Sequence, residues 1–309
     1  MKLAPENPLR AMAAGLAPTA PVSSLILAGL AGELETGGPV AAVLRAHPAA
    51  GSPLFGIRAL AGLHHLMLLG RAEELAAHLA ESDGSNSWEV ARTAILANIE
   101  HIRAALDQPV QQHQPDRGGK LLHGLALLGA PKVRLLEIGA CAGLNLVVDR
   151  YHWRGSNGEW GNSASPVRLT TPGPIPSDVE IVYRAGCDLA PRDAANPADV
   201  AILQSFIPPE CTARQAELDS ALRLAAESGV TIERADARQW LATELDRRDG
   251  DTLTVVWHSL VWQYLDRAQQ ADIEDILGDA AKRAPIARIG YEPGEWSLPA
   301  QLQLTLYGS

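Results

Sequence analysis

The sequence predicts an α/β chain: a doubly wound, mostly parallel sheet preceded by a helical N-terminal region. Two observations carry this. From residue 131 onward, short β-type runs alternate with helical patterns, and strands joined through helices imply a parallel sheet with right-handed crossovers. Before residue 120 nothing reads as a strand, and apolar residues recur at helical spacing between Pro and Gly breaks. The composition agrees: 309 residues, 47% hydrophobic and 20% charged, are enough for a sizeable core. The expected boundaries are 1–120 for the helical cap region and 121–309 for the sheet domain.

In the first region, "SPLFGIRALAGLHHLMLLGRAEELAAHLA" sets Leu60, Leu63, Leu66, Leu68, Leu69, Leu75 and Leu79 on helical faces. "SWEVARTAILANIEHIRAAL" reads as one helix capped by Ser87, with Val90, Ala94, Ile95, Ile99 and Ile102 along one side. The polar, Pro- and Gly-broken "DQPVQQHQPDRGGK" is a connector. Five strand-like runs follow: "KVRLLEIG", "DVEIVYRAGCD", "GVTIERADA", "DTLTVVWHSL" and "APIARIGYEP". Helical patterns between them cover residues 143–150, "PADVAILQSF" with "TARQAELDSALRLAAESG", "ARQWLATELDRR" and "AQQADIEDILGDAAKR". "HWRGSNGEWGNSASPVRLTTPGPIPS" is rich in Gly, Ser and Pro, has no helical period, and reads as an insertion. The closing "LQLTLYG" alternates and reads as an edge strand whose hairpin partner is missing.

The totals disfavour several classes of partner. A formal net charge of −10 with no run of Lys or Arg lacks the basic footprint that phosphate-backbone binding needs. Cys141, Cys187 and Cys211 are odd in number and share no C-x-x-C spacing, so neither a disulfide framework nor a cysteine zinc site is expected. They read as reduced thiols of a cytoplasmic protein. The apolar stretch near the N-terminus is interrupted by Pro5, Pro8, Pro18 and Pro21, which suits neither a signal peptide nor a membrane span. Adjacent His64 and His65 point about 100° apart on a helix, so no metal is expected there. The expected partner is a small molecule, with no nucleic acid and no membrane. Oligomeric state stays open.

In an open α/β sheet, ligands bind beyond the carboxyl ends of the strands, so the turn after the first strand is informative. Here it is "EIGACAG". A dinucleotide fingerprint counted from Gly139 needs glycine at positions that hold Cys141 and Leu144, so the nicotinamide reading fails twice. No G-K-[ST] follows for a phosphate loop, and no G-x-S-x-G occurs for a serine hydrolase.

What fits is acidic-x-Gly-x-x-x-Gly, which resembles motif I of Rossmann-like methyltransferases that use S-adenosylmethionine. The resemblance implies that Gly139 and Gly143 let backbone approach the cofactor's methionine portion, and that Glu137 helps hold its ammonium. Ala140, Cys141 and Asn145 belong to the same cofactor-binding turn, with Cys141 where the family usually has glycine. "IVYRAGCDLAP" resembles the element whose acidic residue, Asp188 here, accepts from the ribose hydroxyls. Asp188 lies 45 residues beyond Gly143, against about 20 in a compact unit, and the insertion accounts for the excess. "IERADARQW" resembles the adenine-contacting element, nominating Asp236 and Ala237.

At the end of the fourth strand His258 is a candidate to orient or deprotonate the methyl acceptor, since a histidine titrates near neutrality. Tyr264 and Glu292 are candidates for the substrate pocket, with Ser259, Trp262 and Gln263 beside them on an expected helix. Asp149, Arg150 and Tyr151 read as a structural network, and Cys141 as non-catalytic. "QQHQPDRGGKLLHGLALLG", "LLEIGACAGLNLVVDRYHW", "SPVRL", "AGCDLAP" and "VVWHSLVWQYL" together resemble a bacterial domain-of-unknown-function family, DUF 2332. That resemblance places Arg117 and Gln112 in a connector able to reach over the ligand edge as a lid. The function expected is an S-adenosylmethionine-dependent methyltransferase acting on a small molecule. The alternative is a non-catalytic binding or regulatory module that keeps the fold.

Overall fold

Proline and glycine set the helix boundaries of the N-terminal region. In the computed structural model, which describes residues 7–81, 84–111, 114–247, 252–294 and 299–308, helices α1 (Pro8–Leu16), α2 (Pro21–Thr36) and α3 (Pro39–Leu44) each begin on a proline. Proline is favoured there because its missing N–H would be unpaired in any case. Gly37 ends α2 with a left-handed φ of 91°. Then come α4 (Phe55–Leu68), α5 (Glu73–Glu81), α6 (Ser87–Ala97) and α7 (Ile99–Asp107). After them lie α8 (Gly118–Leu128), α9 (Pro197–Ser205), α10 (Thr212–Ser228), α11 (Ala237–Asp246) and α12 (Arg267–Ala281).

Two units emerge: residues 1–112 with 197–216, and residues 113–196 with 217–309. The first is helical. Leu27, Leu30, Leu44, Leu66, Ile95 and Ile102 are among its buried core. The stretch 197–216, which the sequence grouped with the sheet domain, belongs to this unit, where α4 packs on α9. The single helix read over 87–106 is two, broken at Asn98 with φ −130°. Ser87 is the first helical residue rather than the cap, its hydroxyl donating to Gly84 O at 2.6 Å. Leu68 and Leu69 face outward, 41% and 48% exposed, because α4 ends there.

The second unit is built on a six-stranded sheet. Its strands are β1 (Lys132–Ile138), β5 (Glu180–Asp188), β6 (Ile232–Arg234), β7 (Leu253–Ser259), β8 (Ile286–Pro293) and β9 (Ala300–Tyr307). They lie in the order β6-β5-β1-β7-β8-β9, all parallel except β9. Counting the parallel strands along the chain, the order is third, second, first, fourth, fifth, so it reverses between β1 and β7. Both faces are covered, as parallel strands require. On one face α11 and α12 bury Leu136, Ile138, Val256 and Ile286. On the other, α8 lies so close that a Cβ on Gly124 would sit 2.7 Å from Ile289.

Three readings need correction here. The insertion is structured: β2 (His152–Gly155), β3 (Gly158–Gly161) and β4 (Arg168–Thr170) form a small sheet in the order β3-β2-β4. Strands of three or four residues are too short to show a period. The closing strand β9 has its antiparallel partner within the chain, pairing with β8 from Ile286↔Tyr307 to Pro293↔Ala300. Residues after the first turn form a 3-10 segment, Leu144–Arg150, kinked at Val147, and only Trp262–Tyr264 turn helically after β7.

Candidate functional site

The carboxyl ends of β1, β5, β6, β7 and β8 gather most of the nominated residues. Glu137 sits one residue before the end of β1, level with Gly186 of β5 and Trp257 of β7. Its place at the sheet's centre leaves it 1% exposed. Burial pushes its pKa up to about 8, the nearby Asp188 charge adds to the rise, and the Asn145 hydrogen bond and Arg117 oppose it. Asn145 Nδ2 donates to Glu137 Oε1 at 2.7 Å, whereas Glu137 Oε2 and Asn145 Oδ1 are buried without a hydrogen-bond partner. Asn145 is therefore not a helix cap. It is the second half of a buried acid–amide pair.

The turn that follows takes three left-handed residues: Gly139 (φ 69°), Cys141 (φ 51°) and Gly143 (φ 73°). At Gly139 a Cβ would also fall 2.3 Å from Val261 Cγ2, so no larger residue fits. Cys141 carries the strain of a left-handed L-residue, of order 1–2 kcal/mol. The same conformation aims its N–H at Asp188 Oδ2, 3.0 Å away, while Asp188 Oδ1 accepts from Ala190 N–H at 2.8 Å. Asp188 thus ties the end of β5 to the turn after β1. Ala140 continues the ladder by donating to Cys187 O at 3.0 Å. Burial drives the Cys141 thiol far up and the Cys187 thiol up to about 12, so neither is a thiolate.

Asp236 follows β6 and caps α11, accepting from Arg238 N–H at 3.0 Å, with Ala237 as the first helical residue. The Arg238 guanidinium clasps the same carboxylate through Nε at 3.0 Å and holds it below the usual carboxylate range. Asp236 is the most fully engaged of the three acids.

Across the reversal point, His258 ends β7 level with Ile138 and Gly290. It is completely buried. Its Nδ1 lies 2.7 Å from Glu292 Oε1, its ring stacks on Trp262 at 4.6 Å, and its Nε2 has no partner. A Cβ on Gly290 would approach the ring to 2.8 Å, so Gly290 makes room for the imidazole. Burial lowers the pKa of His258, while the hydrogen bond and charge of Glu292 act against that. Glu292 also accepts from Val261 N–H at 3.0 Å and keeps Oε2 unpaired. The sequence nominated His258 and Glu292 for separate roles, and the structure joins them.

Tyr264 lies apart from this pair at the surface, 52% exposed. Arg117 sits just ahead of α8, its charge disfavoured by enclosure and supported by Asp116, Cys141, Glu292 and Tyr291. Its guanidinium makes no hydrogen bond or ion pair among the described residues, and Gln112 lies outside them. Asp149 grips Arg184 through two hydrogen bonds of 2.7 and 2.8 Å, and Tyr151 Oη donates to Leu144 O, both structural. Sequence reasoning missed Val261, packed on Gly139, and Trp257, beside Glu137. Nothing short of the strand register marks them.

Among the described residues, no group of three or more His, Cys, Asp or Glu is placed to hold a metal, and no helix is long and apolar enough to cross a membrane. The site is that of an open α/β sheet with acids on its carboxyl edge. Residues 6–308 match a family described as "Uncharacterized protein conserved in bacteria (DUF2332)". The chain belongs to that family. No curated protein and no solved structure matches it.

Proposed function

We propose that the chain is an S-adenosylmethionine-dependent methyltransferase of Rossmann-like architecture, acting on a small-molecule acceptor. The observation that carries this reading is one placement. Glu137, Asp188 and Asp236 stand in turn at the carboxyl ends of the first, second and third parallel strands, around a glycine turn beside the point where strand order reverses. Ligands of open α/β sheets bind at that point.

The residues fit the donor unevenly. Glu137 Oε2 and Asn145 Oδ1 are buried acceptors lacking donors, which suits a cationic ammonium. Asp188 accepts one N–H on each oxygen, which leaves lone pairs for vicinal hydroxyls. Asp236, already clasped by Arg238, fits least well. The bound donor supplies a methyl group on an activated sulfonium, so catalysis rests largely on positioning. His258 accepts the proton of an acceptor that carries one, with Glu292 fixing its ring through Nδ1. Because Trp262 covers the ring, that role requires the segment 260–264 to open. Two buried cysteines and a third half-buried, none of them in a disulfide, suit the reducing cytoplasm. The acidic balance argues against a nucleic-acid acceptor.

A second reading, a ligand-binding module without turnover, is favoured by Cys141 in a glycine position and by the closed-in His258. Calorimetry with S-adenosylhomocysteine, on wild type and Asp188→Ala, tests the donor site. Saturable binding to wild type, lost in an Asp188→Ala protein shown to be folded by circular dichroism, is expected. At 100 times the dissociation constant, the ligand then stabilises wild type by about 2.7 kcal/mol. Absence of binding to folded wild type would end the methyl-donor reading. Binding with no transfer to any acceptor fraction of a cell extract would favour the module.

A further inference from the structure

An apolar space opens within the helical unit. It is a cavity of about 340 Å³ bounded by α1, α2, α4, α5 and the segment from α9 into α10. An apolar cavity of about 150 Å³ holds benzene and stays free of water; in proportion, this one takes on the order of a dozen carbons. Most of its wall is hydrocarbon, with Leu63, Leu75 and Phe206 fixed in place and Met12 and Met67 able to adapt to an occupant.

Its few polar groups are nearly all spent within the protein. Ser23 gives its hydroxyl to Glu210 Oε2 at 2.7 Å and its N–H to Glu210 Oε1 at 2.8 Å, so this nearby carboxylate is engaged at the start of α2. Ser205 donates to Ile202 O at 2.6 Å. His64 Nδ1 lies 3.3 Å from Ser205 O, a carbonyl that can only accept, so the proton resides on Nδ1; burial lowers the pKa and favours the neutral ring. Arg214 is the exception. Exposed on the first turn of α10, it lines the cavity as its only cation, and its guanidinium makes no hydrogen bond or ion pair among the described residues.

We propose that this cavity is a binding site for a medium-chain fatty carboxylate, the chain lying in the hydrocarbon interior and the carboxylate at Arg214. A pocket that is apolar within, with one polar group fixing orientation at its rim, is the usual form of a small-molecule site. The occupant needs an anionic end because the unspent polar group is a guanidinium, which pairs with carboxylates through two donors.

The test is calorimetry on the full chain with dodecanoate, below its micelle concentration, and with dodecanol. Wild type is expected to bind both saturably at one site. Arg214→Ala should weaken dodecanoate about tenfold and leave dodecanol within twofold. Ala61→Phe fills the cavity and should remove binding of both. Met67→Trp is the second filling variant should the first not fold, the fold being checked by circular dichroism and thermal midpoint. No saturable dodecanoate binding to wild type, or undiminished binding in a folded filled variant, overturns the proposal. So does an Arg214→Ala protein that binds dodecanoate as wild type does.

Discussion

Glu137 and His258 occupy neighbouring strands one residue apart, both fully enclosed, yet their partners are of opposite kinds, a neutral amide for one and a carboxylate for the other. Glu137 is paired with a neutral amide, so burial prevails and its pKa rises to about 8. His258 is paired with the carboxylate of Glu292, so the cost of charging the ring is opposed by a partner 2.7 Å away. The one-residue offset also sends them to opposite faces of the sheet. Glu137 shares its face with α8, and His258 shares its face with α11 and α12. The lesson is that burial prevails at both, disfavouring the charged form of each, and that the partner tempers the shift without reversing it. Near neutral pH, Glu137 is mostly a protonated acid, while His258 and Glu292 share one hydrogen bond and each keeps a second buried atom without a partner.

Breaking the His258–Glu292 pair should have the largest effect. Glu292→Leu strands the His258 Nδ1 proton and the Val261 N–H together. A loss of about 3–5 kcal/mol in stability is expected from removing one partner of such a buried pair, measured by chemical denaturation. A loss under 1 kcal/mol would show that the pair carries no such weight.

The pH dependence sharpens the contrast through opposite signs. Glu137 binds its proton more tightly folded, with a pKa near 8, than unfolded, near 4.5. Between about pH 5 and 8 the folded state therefore holds the extra proton, and stability falls as pH rises, by at most 1.36 kcal/mol per unit. Glu137→Gln keeps the shape, removes the titration, and should flatten that slope, about 2.5 kcal/mol between pH 5 and 7. His258 has its folded pKa lowered. Its contribution is present above the unfolded value near 6.5 and is lost as pH falls below it, so His258→Gln should flatten the acid side instead. Identical pH profiles for wild type and Glu137→Gln would contradict the raised carboxyl.

The smallest effect is steric. Gly290→Ala brings a methyl to 2.8 Å from the His258 ring, and overpacking of that kind costs about 1–3 kcal/mol. Thermal melts of the variant, alone and with His258→Ala, separate the clash from other losses: the double variant should recover the penalty of the added methyl.

The α/β alternation was legible because parallel strands, buried on both faces, stand out as apolar runs between Pro and Gly. Every strand of the large sheet was foreseen, as was the acid at the end of each of its first three strands. The small sheet was not, since strands such as Arg168–Thr170 are too short to alternate visibly. The break at Asn98 was hidden by the apolar period running on through Ile99 and Ile102. Within the site, His258 could be nominated from its place at a strand end, and Glu137 and Asp188 from motifs that resemble those of methyltransferases. Asn145, Cys141 and Glu292 were nominated as well, but their pairing with these residues was not legible, because the turn and the strand register bring them together.

Under the proposed function, Glu137 is a neutral acid which the positive charge of a bound methyl donor ionises. Calorimetric titration of S-adenosylmethionine at pH 7 in phosphate and in Tris, buffers with different heats of ionisation, measures protons exchanged on binding. With a pKa near 8 in the free protein, close to one proton should be released per donor bound, and Glu137→Gln should release none. Binding whose heat is the same in both buffers would contradict that ionisation, and no binding at all would rule out the methyl donor.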